Sequence, residues 1–484
     1  MIDKVKTLGK ETLIYGTSTI VARLLNFFLV PLYTYYLAPQ DYGIVAAVFA
    51  FMALTNIIYQ YGMDQAYLRF AKENPHKELF ATPLIAIFTS GVFISLILWL
   101  LSAPLAECLG IGAKYNYLIK LACFVMALDA LNIVPFAKLR FDHKAWHFML
   151  IRTASIVVNV LGNILVLAYF KSGVKGIFIA GIFASLTSLL LLLPMILKNF
   201  VLRFDKKLFK EMFLFSWPFI PAGMASILVN VIDKPILIHL AGLKAVGIYQ
   251  ANFKIGVFMM LVVSMFDQAW RPFFIQYSSE KNAKELFAQI FTYFTAITTW
   301  IFLGLTFLMP VIIKTPVFNH HLIAPAYWDG IKIIPLVLGG YLFYGFYINF
   351  MVAPVLTKRT RVLMWITLLG ALSSILANFT LVPVVGIIGA GWAIFISYAV
   401  MACSLFYFLQ KNYPIAYEYK KLGFMAGVVL VFLALNNFWD EALTMQIILL
   451  ILYPLIISLV LNKDSFLRIK KLLLKRKKTN KNYF

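Results

Sequence analysis

The segment Phe80–Leu101 has the sequence FATPLIAIFTSGVFISLILWLL and contains no charged residue. A helix needs about 20 predominantly apolar residues to cross the hydrocarbon core of a bilayer, so this segment predicts a transmembrane helix. Thr12–Leu37, Asp41–Met63 and Leu443–Leu461 have similar length and apolarity, and many comparable segments lie between them. A soluble core does not accommodate more than a dozen such segments. The sequence therefore predicts an all-α polytopic membrane protein.

The composition points to the same class. Hydrophobic residues make up 62% of the 484 residues and charged residues 13%, whereas soluble domains have about 45–50% apolar and about 25% charged residues. The net charge is +23, but the basic residues are spread over short loops, so we expect no nucleic-acid partner. The sequence has neither a P-loop nor a set of residues with metal-ligand spacing, so we expect no cofactor and no metal.

Hydropathy predicts about fourteen transmembrane helices. The predicted spans are approximately 12–37, 41–63, 80–101, 116–137, 147–170, 176–197, 212–240, 247–266, 288–313, 329–354, 362–382, 387–409, 422–437 and 443–461. The span 212–240 contains Pro218, Pro221 and Pro235, so we expect it to be kinked or partly unwound.

Lys and Arg residues predict the orientation of these spans, because they accumulate in cytoplasmic loops. With a cytoplasmic N-terminus, the inward-facing segments hold roughly three quarters of the 43 Lys and Arg residues. Both termini are then predicted to lie in the cytoplasm. The basic tail 462–484 is expected to lie on anionic lipids or to be solvated.

An internal repeat predicts two lobes. Asp64-Gln65-Ala66-Tyr67 recurs as Asp267-Gln268-Ala269-Trp270, and Tyr42-Gly43-Ile44 matches Val246-Gly247-Ile248. Gly173-Val174-Lys175-Gly176 and Ser155…Asn159 have counterparts in Gly386-Ile387-Ile388-Gly389 and Ser374…Asn378. An even number of helices per repeat makes the copies parallel. We predict two parallel six-helix lobes at 1–205 and 206–412, followed by two extra helices in 413–461.

Basic residues within the spans are the main candidates for substrate binding. A charge at bilayer depth costs about 2.5–3.5 kcal/mol on insertion scales, so it normally faces a polar cavity or a partner. We predict that Arg23 and one or more of Arg152, Lys234 and Lys254 hold a pyrophosphate group, since arginine binds two phosphate oxygens at once. Arg152 is close enough to the inner face to snorkel, and the alternative for Lys234 is pairing with a neighbouring group.

Acidic residues are candidates for coupling or gating. Asp233 is either the partner of Lys234 or a proton-coupling carboxylate, and Asp129 is either a counter-ion or the ligand of a coupling ion such as H⁺ or Na⁺. Asp64…Arg69 and Asp267…Arg271 recur at the inner face. Each pair either forms a salt bridge that stabilises one conformation or simply anchors the helix end.

Several motifs carry a resemblance to a known family. They are Tyr15-Gly16, Pro31-Leu32-Tyr33, Leu37-Ala38-Pro39-Gln40-Asp41-Tyr42-Gly43, Asp233-Lys234-Pro235-Ile236-Leu237 and Pro383-Val384-Val385-Gly386. The chain resembles bacterial polysaccharide flippases, the O-antigen and exopolysaccharide translocases of the multidrug/oligosaccharidyl-lipid/polysaccharide exporter superfamily. Related lipid II flippases place arginines in the first helix, a carboxylate near the second and an arginine near the end of the eighth. Arg23, Asp41 and Arg271 occupy comparable positions in this chain. The resemblance implies substrate binding for Arg23, and coupling or gating for Asp41 and Arg271.

The resemblance implies a flippase that moves an undecaprenyl-pyrophosphate-linked oligosaccharide from the cytoplasmic to the periplasmic leaflet by alternating access. Two alternatives remain open. A multidrug or cation antiporter on the same fold would carry more carboxylates than lysines in its spans, and this chain shows the reverse. A membrane glycan polymerase would need a larger outer loop or an acid/base cluster. We expect no enzymatic activity, and we expect other polysaccharide-assembly membrane proteins among its partners.

Overall fold

A computed structural model describes residues 20–21, 23–71, 78–316, 320–438 and 442–461. The regular secondary structure of these residues is helical. The α-helices, in chain order, are α1 Leu29–Tyr36, α2 Pro39–Gln60, α3 Met63–Phe70, α4 Glu78–Leu100, α5 Ser102–Cys108, α6 Asn116–Phe141, α7 Ala145–Ile164, α8 Gly173–Asn199, α9 Lys206–Ser216, α10 Phe219–Val231, α11 Asp233–Phe253, α12 Val257–Tyr277, α13 Ala283–Lys314, α14 Ile334–Phe350, α15 Val352–Leu356, α16 Arg361–Val385, α17 Ile387–Asn412, α18 Tyr419–Phe438 and α19 Leu443–Val460. The predicted all-α class is confirmed.

Twelve helical segments in the described chain are long and apolar enough to cross a membrane. One of them, Ile227–Tyr277, has 51 residues and includes parts of the predicted spans 212–240 and 247–266. Its backbone leaves the helical region at Gly242, with φ 83° and ψ 169°, between those two spans. The first predicted span, 12–37, is described only from residue 20 onward, and the basic tail 462–484 lies outside the described residues.

The helical hydrogen-bond pattern of the proline-rich span is interrupted, although Pro218 and Ile232 keep right-handed helical backbone angles. A turn at Trp217-Pro218 separates α9 from α10, and a second turn at Ile232 separates α10 from α11. Proline lacks an N–H donor and its ring clashes with the preceding turn, so such breaks follow from the sequence. The second break places Asp233 and Lys234 at the first two positions of α11.

The described chain forms two compact units. Among the described residues, the first comprises those within 20–257, 323–333 and 367–397, and the second comprises those within 258–316, 320–322, 334–366, 398–438 and 442–461. The sequence-based boundaries at 205/206, 412/413 and 461/462 remain predictions.

In the first unit, α2 and α11 cross at two glycines that are equivalent in the predicted repeat. A Cβ added to Gly43 would lie 2.0 Å from the backbone oxygen of Leu243, and one added to Gly247 would lie 1.8 Å from that of Pro39. Each glycine therefore contacts the backbone of the other helix, at the same sequence offset. Only glycine permits such an approach, which explains why the repeat places a glycine in both copies.

The other repeated glycines shape two matching turns. Gly173, at the start of α8, and Gly386, just before α17, have φ of +56° and +59°. Each is followed three residues later by a glycine that faces a close neighbour, since a Cβ on Gly176 would lie 2.8 Å from Val166 and one on Gly389 would lie 2.5 Å from Leu381. One glycine supplies the left-handed backbone and the next supplies the room for tight packing.

In the second unit, the two C-terminal helices α18 and α19 pack on α13. Tyr453 and Thr299 share a hydrogen bond of 2.5 Å between their hydroxyls, and the Trp300 indole donates to the Leu450 carbonyl at 3.0 Å. Gln446 donates to the Asn436 side chain at 3.0 Å. These polar contacts join α13, α18 and α19 where apolar packing alone provides little specificity in a bilayer.

Candidate functional site

Arg23 and Lys254 line one cavity of the first unit, with a volume of about 250 Å³. We call it the basic cavity. Its other polar lining residues are Asn26, Tyr33, Tyr42, Asn159 and Gln250. The described residues that line it include two cations and no carboxylate. The structure thus brings together two of the four basic residues that the sequence proposed for substrate binding.

Helical spacing explains which side chains reach the basic cavity. Arg23, Asn26, Val30 and Tyr33 recur at intervals of three and four residues along the first predicted span, so they share one helical face. Lys254 follows the last residue of α11 and begins a short 3-10 turn, Lys254–Gly256. Within the described part of the chain, no ion pair involves Lys254.

A hydrogen-bond chain orients the Asn159 amide, which lines the basic cavity. The Tyr33 hydroxyl donates to Asn163 Oδ1 at 2.9 Å, and Asn163 Nδ2 donates to the backbone oxygen and to Oδ1 of Asn159, at 2.8 and 3.2 Å. The Asn159 side-chain oxygen is therefore an acceptor in this chain. Its Nδ2 remains as a donor at the cavity wall.

Gln250 is a buried polar residue of the basic cavity whose side-chain oxygen is unsatisfied within the described chain. Its side chain is 8% exposed, and its Oε1 has no hydrogen-bond partner among the described residues. A buried polar atom without a partner costs about 1–3 kcal/mol, so such atoms usually mark a bound molecule or water. Gln250 Oε1 is therefore an acceptor available to a water molecule or a polar ligand in this cavity.

A second cavity of the first unit, with a volume of about 350 Å³, has acidic and basic residues in equal number. We call it the mixed cavity. Its charged lining residues are Asp64, Asp129, Arg140 and Arg152. On α6, Asp129, Asn132, Phe136 and Arg140 are spaced by three, four and four residues, so this apolar helix presents one polar face.

Most charges of the mixed cavity have partners. Arg140 on α6 pairs with Asp64 at 3.2 Å, and Gln65 Nε2 also donates to Asp64 Oδ2 at 2.8 Å. Asp129 Oδ1 accepts a hydrogen bond of 2.6 Å from the Ser185 hydroxyl. The Arg152 guanidinium lies 5.2 Å from the Phe136 ring centroid and 5.8 Å from that of Phe148, within the range of a cation–π contact.

A third cavity shares lining residues with each of the other two and has a volume of about 270 Å³. We call it the linking cavity. It shares Asn26, Tyr33 and Asn159 with the basic cavity. It shares Asp129, Arg152 and Ser155 with the mixed cavity. On α7, Arg152, Ser155 and Asn159 lie on one face, which therefore runs along the whole set.

Lys234 and Asp233 form a buried ion pair that lines none of the three cavities. Lys234 Nζ lies 3.1 Å from Asp233 Oδ1 and donates to the Asn230 carbonyl at 3.1 Å. Asp233 Oδ2 accepts from the Tyr249 hydroxyl at 2.6 Å. The pairing predicted as one alternative is present, and the binding role of Lys234 and the coupling role of Asp233 remain predictions.

The remaining predicted residues lie elsewhere. Asp41 is in the first turn of α2, where its charge complements the positive end of the helix dipole. In the second unit, Asp267 Oδ1 accepts from Arg271 Nε at 2.7 Å, one turn along α12. This salt bridge was one of the two alternatives for the inner-face motif, and the gating role of both residues remains a prediction.

Most of the polar cavity-lining residues that were not predicted from the sequence are uncharged. Asn56, Asn132 and Gln250 line the cavities but carry no charge, and Arg140 lies at a helix end where basic residues are common. The available signal was amide residues recurring at helical spacing within apolar segments. Such residues are costly to insert into lipid and therefore face polar surroundings.

The chain is similar in sequence to a known protein family. The model of a family described as "Polysaccharide biosynthesis protein" matches residues 35–321. A search of curated proteins finds no match.

Solved structures show what this fold is similar to. A lipid II flippase, MurJ, in an inward closed conformation superposes with a TM-score of 0.73 at 18% identity, covering 94% of this chain and 100% of that one. An inward-facing multidrug resistance MATE family transporter of the MOP superfamily gives 0.59 at 13% identity, with 81% and 98% covered. The MATE multidrug transporter DinF-BH gives 0.59 at 17% identity, with 84% and 95% covered.

Proposed function

Because the chain belongs to the polysaccharide biosynthesis protein family, and its fold is that of MOP-superfamily flippases and transporters, we propose that it translocates a lipid-linked oligosaccharide. The proposed substrate is an undecaprenyl-pyrophosphate-linked glycan, moved from the cytoplasmic to the periplasmic leaflet of the bacterial inner membrane. The protein moves the glycan without altering its covalent structure. Other polysaccharide-assembly membrane proteins would supply the substrate and receive it.

The single observation that carries this proposal is the charge of the basic cavity. Arg23 and Lys254 line it together, and no carboxylate is among the described residues that line it. Two cations in a confined space within a membrane protein favour an anion strongly, because the low dielectric strengthens their field. A pyrophosphate supplies several acceptor oxygens for the Arg23 fork, the Lys254 ammonium and the Asn159 amide.

The charge pattern also separates this function from export of cationic drugs. A cationic substrate would be repelled by Arg23 and Lys254 in the basic cavity. The carboxylates Asp64 and Asp129 line the mixed cavity, but each shares that cavity with arginines. The net charge of the cavities is therefore positive, as expected for an anionic headgroup.

Coupling to H⁺ or Na⁺ belongs to the same proposal, with Asp129 as the coupling group. Its carboxylate accepts from Ser185 and faces a cavity that also contains Arg152. In proteoliposomes, Asp129→Asn should abolish the dependence of glycolipid translocation on a proton or sodium gradient. An unchanged gradient dependence would assign coupling to another group.

A complementation assay tests the transport function. The protein is expressed in a strain that lacks its own polysaccharide flippase, and surface glycan is measured alongside protein amount. We expect Arg23→Ala and Lys254→Ala each to lower surface glycan about tenfold or more at unchanged protein amount, since a charge-assisted hydrogen bond is worth about 1.5–3 kcal/mol.

Two further variants serve as controls. Lys332 is exposed and lines none of the three cavities, so Lys332→Ala removes a cation with no expected effect. Arg23→Lys keeps the charge and should retain part of the activity. Full surface glycan in both Arg23→Ala and Lys254→Ala would refute the assignment of the basic cavity.

A further inference from the structure

We propose that the mixed cavity binds the sugar next to the pyrophosphate of the transported glycolipid. This inference rests on the proposed function, because it takes the basic cavity as the site of the pyrophosphate. It adds a second subsite with a different chemical preference. The ligand class is a neutral pyranose ring whose hydroxyls, or hydroxyls and acetamido group, both donate and accept hydrogen bonds.

Three polar atoms of the mixed cavity lack partners in the described part of the protein. Asn56 Oδ1, Asn132 Oδ1 and Arg140 Nε are buried and have no hydrogen-bond partner there. Asn132 is 5% exposed, and its Nδ2 donates to the Ser185 carbonyl at 3.3 Å. This hydrogen bond fixes the amide so that its unsatisfied oxygen is available to a ligand.

The unsatisfied atoms comprise two acceptors and one donor. A phosphate supplies acceptors only, and a metal ion needs acceptors only, so neither matches this set. A sugar hydroxyl donates its hydrogen and accepts through its oxygen, so a pyranose can satisfy all three. The equal number of acidic and basic lining residues also favours a ligand without net charge.

The size and position of the mixed cavity fit the same ligand. Its volume of about 350 Å³ falls within the range of about 300–1,000 Å³ found for small-molecule sites. The linking cavity shares Asn159 with the basic cavity and Arg152 with the mixed cavity, so it neighbours both. The two proposed subsites therefore lie near each other within one unit, as the adjacent pyrophosphate and first sugar of a glycolipid require.

Binding measurements on the purified full-length protein in nanodiscs test this inference. The probes are undecaprenyl diphosphate and a panel of the same lipid extended by one hexose or one N-acetylhexosamine. In the wild type we expect at least one extended lipid to bind about tenfold more tightly than undecaprenyl diphosphate. This gain should fall to about twofold or less in Asn56→Leu and in Asn132→Leu, while affinity for the unextended lipid is unchanged.

Asn349→Leu is the matched control. Asn349 is also buried, with an Oδ1 that has no partner among the described residues, and its Nδ2 donates to the Gly345 carbonyl. It lies in the second unit and lines none of the three cavities, so its variant should keep the full gain. Because Asn132 also contacts Ser185, Asn56→Leu keeps the test valid if Asn132→Leu folds poorly.

The outcomes separate this inference from the proposed function. Equal affinity of the wild type for all lipids would refute the sugar subsite. A sugar-dependent gain in affinity that persists in both Asn→Leu variants would also refute it, and the mixed cavity would then be a water-filled cavity. Undecaprenyl diphosphate that binds wild type and Arg23→Ala equally would instead overturn the pyrophosphate site. A gain lost only in the Asn variants, with binding of the unextended lipid lost only in Arg23→Ala, supports both.

Discussion

The basic cavity and the mixed cavity lie in the same unit but differ in their balance of charge. The described lining of the basic cavity contains Arg23 and Lys254 and no carboxylate. In the mixed cavity, Arg140 pairs with Asp64, and Arg152 shares the lining with Asp129. Excess positive charge selects an anion, whereas balanced charge favours a neutral polar group.

The ion pair of Lys234 and Asp233 differs from both cavities, because each of its charges is neutralised by the other within the protein. Lys234 and Lys254 lie close in sequence, yet one is paired and buried and the other lines a cavity. A basic residue in a membrane span is therefore not by itself a sign of a binding site. The presence or absence of a neighbouring carboxylate distinguishes a structural lysine from a candidate ligand-binding one.

The largest expected effect is a difference in protein stability between variants of Lys234 and variants of Lys254. Lys234→Met leaves the buried Asp233 carboxylate without its partner, which should lower the free energy of unfolding by about 3 kcal/mol. The double variant Asp233→Asn/Lys234→Met should recover most of this loss. Thermal unfolding in detergent measures both, with Lys254→Met as the comparison that should unfold near the wild-type temperature. Equal losses for Lys234→Met and Lys254→Met would show that pairing does not distinguish them.

The next effect concerns ligand affinity. Lys254→Glu places a carboxylate in the basic cavity and removes its excess positive charge. We expect affinity for undecaprenyl diphosphate to fall about 100-fold, since like charges in an interior site cost several kcal/mol. Titration in nanodiscs measures the change, and Lys332→Glu provides an exposed charge reversal as the control. A loss of similar size in Lys332→Glu would indicate a general surface effect.

A third effect tests the crossing of α2 and α11, which positions Gln250 and Lys254. Gly247→Ala puts a methyl group against the Pro39 carbonyl and should cost about 2 kcal/mol in stability through overpacking. Gly427→Ala, in helix α18, is the control, because a Cβ there meets nothing within 4 Å. If both variants unfold at the wild-type temperature, the two helices do not approach each other as described.

The smallest effect sharpens the contrast between the cavities. Asp64→Asn removes the partner of Arg140 and gives the mixed cavity a net positive charge. Affinity for undecaprenyl diphosphate should then rise about two- to threefold, in line with about 0.5 kcal/mol for a partly exposed pair. Asp267→Asn breaks the comparable pair with Arg271 outside the three cavities and should leave the affinity unchanged. A decrease in Asp64→Asn would contradict the charge-balance interpretation.

The sequence by itself determined the helical membrane architecture and its local breaks. Apolar segments such as Phe80–Leu101 specify spans, because hydropathy is a property of each segment alone. Proline at 218 and the left-handed glycines at 173 and 386 act on their own backbone, so the breaks and turns they cause were predictable. The glycine pair at 43 and 247 was visible as a repeat, although its close contact was not.

Only the tertiary structure decided which polar residues meet. Hydropathy marked Arg23, Lys234 and Lys254 as similar, but the placement of a carboxylate or an amide opposite each one depends on how separate helices pack. The pairing of Asp64 with Arg140 and the cavity face shared by Asn56 and Asn132 join residues far apart in sequence. Charge and hydropathy are encoded residue by residue, whereas the partners that give a charge its role are assembled by the fold.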